Sequence, residues 1–140
     1  MGFYASYKAV FDQVKTALEN VSSLKQVVLG ERFKLHTLPL AIVNPGETRI
    51  TQAEIGTVLE CRLGFDVIVV VRSTEPQDWF QDVLTVMGDV VDALLADRTL
   101  NNAVKDVRPA SFVPGEIRFA EKLYYGGLVG FEALLFYSPS

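Results

Sequence analysis

A long run of strict two-residue alternation constrains this chain more than any other feature of its sequence. Across residues 55–71 every second position carries an apolar or small side chain, and the intervening positions include Glu60, Arg62 and Asp66. This period places alternate side chains on opposite faces of a β-strand, so one face is predicted to be buried and the other mostly wet. An unbroken strand of this length would span roughly 55 Å, so Gly64 is predicted to mark a bend or a bulge.

The pattern predicts further strands on both sides of this run. Residues 68–71 are apolar at every position, which predicts a central strand covered on both faces. Shorter strands are predicted at residues 27–29, 38–43 and 104–108, and a final strand within residues 123–137.

Turn-forming residues separate these strands. The sequence Asn44-Pro45-Gly46 is predicted to end the strand at 38–43, and the polar residues 47–54 are predicted to form an exposed loop or hairpin tip. Residues 109–122 contain Pro114-Gly115 and mixed charges, and are predicted to form a long loop.

Two segments have helical periodicity. Residues 3–22 carry apolar side chains at steps of three and four, the spacing of one helix face. The apolar positions of this helix are Phe3, Tyr7, Val10, Phe11, Val14, Ala17, Leu18 and Val21. A second helix is predicted to begin at Thr74, a good N-cap, and to end at Ala96. Its first turn contains Pro76, and Gln77 completes a capping box.

This order of elements predicts the fold class. Two helices that each carry a single apolar stripe, combined with strands that can pair antiparallel, indicate an α+β domain spanning residues 1–140. We expect a four- to six-stranded, mostly antiparallel sheet with both helices packed on one face.

Composition narrows the functional classes. Apolar residues make up 49% of the 140 residues, which favours partial burial against a partner. The net charge is −4 and the lysines and arginines are scattered, so the basic patch of a nucleic-acid-binding protein is missing. The start of the sequence does not resemble a secretory signal and the longest apolar run, residues 67–71, is short, so a soluble intracellular protein without a membrane segment is expected.

Residues with catalytic chemistry are few and not obviously linked. Cys61 lies on the apolar side of the alternation and is predicted to pack in the core. His36 precedes a strand without an evident carboxylate partner, which favours a loop or strand-edge position. Glu60 and Asp66 share a face but would lie about 20 Å apart, too far for paired-carboxylate chemistry. We therefore predict no enzymatic activity, no cofactor and no metal site.

Aromatic and charged residues in the predicted loops are the candidates for protein contacts, because Tyr and Arg are favoured at interfaces. A β-hairpin folded over the core is an equally good interpretation of the second of these loops. The candidate interface residues are Glu47, Thr48, Arg49, Glu116, Arg118, Phe119, Glu121, Lys122, Tyr124 and Tyr125.

Several segments, distributed nearly from end to end, carry a family resemblance. They are the first helix at 7–18, the strand Leu38-Pro39-Leu40-Ala41-Ile42-Val43, the long strand ending at 67–72, the segment Asp97-Arg98-Thr99-Leu100-Asn101-Asn102-Ala103-Val104, and the terminal Leu135-Phe136-Tyr137. In this layout the chain resembles the tail terminator (tail-tube completion) proteins of long-tailed bacteriophages. The Asp-x-Thr-Leu stretch at residues 97–100 is the most characteristic of these segments.

The resemblance implies a virion structural protein of the tail or neck that is made in the host cytoplasm. Such a protein forms a ring, commonly a hexamer, that docks on the last disc of the tail tube, ends tube polymerisation and presents its other side to the head connector or stopper protein. DNA would pass through the lumen only as cargo, and an acidic protein suits such a channel.

Two alternatives remain. Another neck or minor tail-completion protein would share most of these features. An α+β ligand-binding domain or enzyme would need a pocket with convergent polar groups, for which the sequence offers only His36 and Cys61.

Overall fold

The computed structural model describes residues 2–30, 37–52, 56–72, 79–119 and 121–139. Within these stretches the chain forms two helices and five strands. In chain order they are α1 (Phe3–Glu19), β1 (Gln26–Leu29), β2 (Leu40–Gln52), β3 (Leu59–Arg72), α2 (Trp79–Leu95), β4 (Asp106–Phe119) and β5 (Lys122–Tyr137). His36, Ile55 and the predicted start of the second helix at Thr74 to Gln77 lie outside the described residues.

The five strands form one sheet in the order β1-β2-β3-β5-β4. Strands β2, β3, β5 and β4 pair antiparallel with their neighbours, whereas β1 pairs parallel with residues Leu40 to Val43 of β2. The predicted α+β fold with a mostly antiparallel sheet is therefore confirmed, with one parallel pair at the β1 edge.

The alternation of β3 divides the sheet into two chemically different faces. The odd-numbered residues from Cys61 to Val69 are at most 1% exposed and pack against both helices, and we call this side the helix face. The even-numbered residues from Glu60 to Val70 lie on the other side, which we call the open face because no described helix covers it. The prediction that both helices pack on one face is confirmed.

Both helices use the apolar stripes that the sequence predicted. The side chains of α1 that are fully buried against the helix face are Val10, Val14 and Leu18. In α2 the corresponding residues are Val83, Met87, Val90 and Leu94. The first helix ends at Glu19 rather than at residue 22, because Asn20 caps it and a turn follows.

The apolar end of β3 is covered on both sides, as predicted. Val69 belongs to the main core on the helix face, whereas Val70 is fully buried on the open face. The open-face cluster around Val70 consists of Val28, Leu40 and Ile42, with Leu38, Ile68, Ile117 and Tyr124 packed against it.

The prediction that Asn44-Pro45-Gly46 ends a strand is wrong, because β2 continues through these residues to Gln52. A β-bulge between Pro45 and Thr48 accommodates one extra residue opposite Gly64 of β3. The irregularity predicted at Gly64 therefore lies in the strand paired with it. Residues 47–52 are strand, not loop, although most of them are exposed.

The predicted loop at residues 109–122 is also wrong. Strand β4 runs from Asp106 to Phe119 and pairs with β5 as a long hairpin with a second bulge between Pro109 and Ser111. Phe119 pairs with Lys122 across the tight turn, which confirms the hairpin interpretation. Strand β3 begins at Leu59, after a turn in which Gly56 has a φ of 74°.

Candidate interaction surfaces

Three arginines from three strands surround one glutamate on the open face, and we call this group the arginine cluster. Nη2 of Arg108 lies 2.9 Å from Oε1 of Glu132. Nη1 of Arg62 lies 3.6 Å from the same oxygen, and Nη2 of Arg49 lies 3.9 Å from Oε2. Glu60 adds a second acid, whose Oε2 lies 3.2 Å from Nε of Arg62.

The strand register explains why these charges meet. Arg49 of β2 lies directly opposite Arg62 of β3, and Arg108 of β4 lies directly opposite Glu132 of β5. Like charges that face each other across strands are destabilising. Glu132 of β5 is placed to balance them, because it pairs with Gly64 and so lies on the same face as Arg62, two residues from the direct partner of Arg62, Leu134.

The guanidinium groups of the cluster are more exposed to solvent than its central carboxylate. The side chains of Arg49, Arg62 and Arg108 are 69%, 41% and 60% exposed, whereas that of Glu132 is 24% exposed. Exposed ion pairs contribute only about 0–1 kcal/mol each to stability. The arrangement therefore adds little to the stability of the fold and leaves its guanidinium groups accessible to solvent.

A polar hollow of about 370 Å³ lies beside the arginine cluster on the open face. Glycines at positions 46, 64 and 130 leave its floor without side chains. Its polar lining includes Glu47, Asp66, Ser111 and Glu132 in addition to Arg49 and Arg62. The hollow therefore brings carboxylates and guanidinium groups together, a combination that the sequence did not predict.

The first group of predicted interface residues lies on β2 at this surface. Glu47 lines the hollow and Arg49 belongs to the arginine cluster. Thr48 points to the helix face, where its Oγ1 lies 3.4 Å from the Tyr7 hydroxyl of α1. The structure thus separates these three neighbouring residues between two faces.

The second group lies at the end of the β4–β5 hairpin. Glu116, Arg118, Glu121 and Lys122 are exposed there, and Phe119 belongs to β4. Glu121 occupies the turn with a φ of 66°.

The two tyrosines of this group point to opposite faces of the sheet. Tyr124 packs on the open-face apolar cluster, and Nζ of Lys122 lies 5.7 Å from its ring centroid. Tyr125 is 5% exposed and stacks on Trp79 at a centroid distance of 4.8 Å. Tyr125 thus joins the hairpin to α2, which together with α1 forms what we call the helix layer.

The Asp-x-Thr-Leu segment forms a tight, strained turn after α2. Leu100, Asn101 and Asn102 have φ values of 48°, 55° and 67°, which side-chain-bearing residues seldom adopt. The Asp97 carboxylate accepts a hydrogen bond of 2.8 Å from the backbone N–H of Asn101 and one of 3.0 Å from the Thr99 hydroxyl. These hydrogen bonds hold the pKa of Asp97 below its ordinary value, and the bond from Asn101 makes the largest contribution.

Residues considered for catalysis have ordinary structural environments where they are described. Cys61 is fully buried on the helix face, which confirms its core position, and burial raises the pKa of its thiol. Glu60 pairs with Arg62, and Asp66 lies in the hollow, so the two carboxylates contribute to different parts of the open face. Within the described residues no three His, Cys, Asp or Glu side chains are placed to hold a metal ion.

Sequence reasoning did not find Arg62, Arg108 or Glu132 as site residues. A usable signal was present for two of them. Arg62 occupies a polar position of the β3 alternation, and Glu132 is the only charged residue between positions 123 and 137. Arg108 was predicted to lie in a short strand, and its proximity to Glu132 depends on the register of the β4–β5 hairpin, which a loop or hairpin prediction for residues 109–122 does not give.

Comparisons with known proteins add no assignment. No protein-family model matches the chain, and no curated protein is significantly similar to it. In the described part of the chain, neither helix is long and apolar enough to cross a bilayer.

Proposed function

We propose that this chain is a virion structural protein that caps the tail tube of a long-tailed bacteriophage as a ring. The ring ends tube polymerisation and provides the surface to which the head attaches. The resemblance described above suggests this role. The observation that carries it is the pair of chemically different surfaces on opposite sides of one sheet, a helix layer and an arginine-bearing open face.

A closed ring of identical subunits needs two different surfaces on each subunit, because every contact joins one surface to the other. The helix layer and the open face satisfy this requirement, and their charges differ. Helix α2 carries Asp82, Asp89 and Asp92 and no Lys or Arg, whereas the arginine cluster presents guanidinium groups. Each subunit would use these surfaces to contact its neighbours in the ring, the tail tube protein and the head connector. DNA would pass through the ring.

The test uses tail tubes assembled from the tube protein of the same phage. Added wild-type protein is expected to stop tube elongation, and electron microscopy is expected to show a ring at the tube end. The variant Arg62→Glu/Arg108→Glu is expected to lose this activity, because it reverses the charge of the open face. Lys25→Glu/Lys105→Glu makes the same charge change in the segments that precede β1 and β4, rather than on either surface, and serves as the matched control.

Two results would contradict the proposal. One is unchanged tube growth with folded wild-type protein in excess over tube ends. The other is a phage lacking this gene that still produces headed tails of normal length, since uncontrolled tail length without heads is expected. Circular dichroism of each variant establishes that a loss of capping is not a loss of folding.

The polar hollow supports a second candidate function, the binding of a small ligand. A hollow of about 370 Å³ falls within the volume range of ligand sites, and it carries both acids and guanidinium groups. A zwitterionic molecule would match these charges. Thermal-shift screening with amino acids and other small zwitterions tests this alternative, and a shift that Glu132→Gln abolishes would favour it over the capping role.

A further inference from the structure

The two long edges of the sheet differ in how they are protected. Strand β1 pairs only with Leu40 to Val43, so among the described residues β2 has a neighbour on one side only from Asn44 to Gln52. Strand β4 forms the opposite edge along its whole length. An exposed edge offers unpaired backbone N–H and C=O groups to any extended chain.

The edge of β4 is blocked by prolines. Pro109 lies opposite Phe131 and Pro114 lies opposite Gly127, and these partners are four residues apart on β5. Both proline nitrogens therefore point to the same side of β4. Because a proline nitrogen cannot donate a hydrogen bond to β5, that side must be the outer edge of β4. There the prolines interrupt pairing with any further strand.

The edge of β2 beyond its bulge has no such block. The backbone N–H of Gly30 donates to the carbonyl of Val43 at 2.8 Å, so Val43 directs its backbone groups away from β3. The bulge adds one residue between Pro45 and Thr48, so even-numbered residues point outward after it. The residues whose backbone groups point outward are Thr48, Ile50 and Gln52, and none of them is proline.

We propose that this edge, residues 48–52, pairs antiparallel with the same edge of a second copy of the chain. The two-fold axis passes beside Ile50, so that Ile50 pairs with its own copy and Thr48 pairs with Gln52 of the other subunit. This register keeps the contact within the regular segment after the bulge. It forms a continuous sheet across the dimer.

Side chains on both faces favour a second copy as the partner. Ile50 is 49% exposed on the helix face. In the dimer the two Ile50 side chains lie next to each other at the two-fold axis, so each covers the other. On the open face, Arg49 of one subunit would lie opposite Thr51 of the other. In that other subunit, Thr51 of β2 pairs with Glu60 of β3, so Glu60 lies one strand further from Arg49. The guanidinium can extend over the short threonine toward this carboxylate, and the contact occurs twice.

This dimer goes beyond the proposed function and does not depend on it. A contact between two identical edges closes at two subunits, whereas a ring requires two different surfaces. A five-residue edge buries little area, so the dimer is expected to be weak and to dissociate on dilution. For a ring-forming protein, the dimer would keep a reactive edge covered until the subunits reach their assembly site.

A cysteine scan tests the register. Paired residues at the two-fold axis have Cα atoms about 5.5 Å apart, a distance that a disulfide spans. With oxidised glutathione as the electron acceptor, Ile50→Cys is expected to form a disulfide-linked dimer and two equivalents of reduced glutathione. Thr48→Cys is the matched control, because the two Thr48 residues would lie about 14 Å apart. The native chain, whose Cys61 is buried, is expected to stay uncross-linked.

Proline substitutions test the edge itself. Ile50→Pro removes an N–H that points outward, so it leaves the β2–β3 ladder intact but is expected to weaken dimerisation about tenfold or more. Phe112→Pro makes the equivalent change on the β4 edge and is expected to leave dimerisation unchanged. Sedimentation velocity over a concentration series, with circular dichroism to check folding, provides both measurements.

Three outcomes would overturn the proposal: a native chain that is monomeric at all concentrations up to the millimolar range, preferential cross-linking of Thr48→Cys, or a dimer weakened by Phe112→Pro but not by Ile50→Pro. Each can occur whether or not the protein caps tail tubes. Conversely, a dimer with the expected register in a protein that fails to cap tubes would reject only the proposed function.

Discussion

The two faces of the sheet are built from alternate residues of the same strands but differ in burial and in charge. On the helix face, β3 contributes Cys61, Leu63 and Phe65, all almost fully buried. On the open face, the interleaved residues of the same strand include Arg62 and Asp66, which join ion pairs and a hollow. Adjacent residues thus have different tasks. The helix face determines the fold, and much of the open face remains exposed to solvent.

The largest effect is expected from shortening a side chain on the helix face. Phe65 is 1% exposed and its ring lies 5.3 Å from that of Phe131 and 5.9 Å from that of Phe11, measured between centroids. Phe65→Ala should lower the free energy of unfolding by about 3–5 kcal/mol, because it leaves a cavity between α1 and the sheet. Urea denaturation measures this loss.

The control for this comparison is on the open face of the same strand. Arg62→Ala removes a larger side chain but should cost less than about 1 kcal/mol, since its ion pairs are exposed. Equal losses at the two positions would show that the open face also determines the fold.

The second prediction compares neighbouring residues by thiol labelling. Native Cys61 is fully buried, and burial raises the pKa of its thiol. An engineered thiol in Arg62→Cys/Cys61→Ala should react with an aromatic disulfide reagent about a thousandfold faster, because Cys61 reacts only through opening of the core. Stopped-flow absorbance gives both rates, and the unfolded chains serve as the reference. Similar rates in the folded proteins would contradict the assignment of the two faces.

The two faces of the central strand β3 could be predicted from the sequence. The incorrect secondary-structure predictions lie in β2 and β4, toward the edges of the sheet. The alternation of β3 predicted its buried side, because both neighbours constrain a central strand. Asn44-Pro45-Gly46 was interpreted as the end of a strand, and residues 109–122, which contain Pro114-Gly115, were interpreted as a long loop. They instead occupy strand segments that, among the described residues, have a neighbour on one side only, where a missing N–H does not break a ladder. Local turn propensity cannot distinguish these cases, because the free side exists only in the assembled sheet.

The arginine cluster could not be predicted for a related reason. Its members come from four strands, and Arg108 meets Glu132 only because the hairpin has a bulge between Pro109 and Ser111. A residue inserted by a bulge shifts which side chains share a face, so sequence alternation alone does not give the cross-strand partners. Arg49, in contrast, was a candidate interface residue from the sequence, and it lies on this surface.

A smaller effect is expected from neutralising the acid at the centre of the cluster. Glu132→Gln keeps the shape but leaves three guanidinium groups without their shared carboxylate, and should destabilise the fold by about 1 kcal/mol. Because salt screens these charges, the difference from wild type should shrink in 1 M NaCl, where the Debye length is about 3 Å. Chemical denaturation at two salt concentrations measures both effects. Glu116→Gln, an exposed neutralisation at the hairpin end, should change stability by less than about 0.5 kcal/mol.

The smallest effect is expected at the turn that connects the helix layer to the sheet. The pKa of Asp97 is lowered in the folded state by the Asn101 N–H and the Thr99 hydroxyl, so its carboxylate stabilises the fold at neutral pH. This stabilisation is complete above the ordinary carboxyl pKa and is lost as the pH falls through the lowered pKa of the folded state. Asp97→Asn should therefore be less stable than wild type at pH 7, with a difference that shrinks below about pH 4. Urea midpoints across this range measure the trend. A difference that persists undiminished at pH 2 would mean that the charge of Asp97 does not hold the turn, and that the three left-handed residues depend on the packing of Leu100 instead.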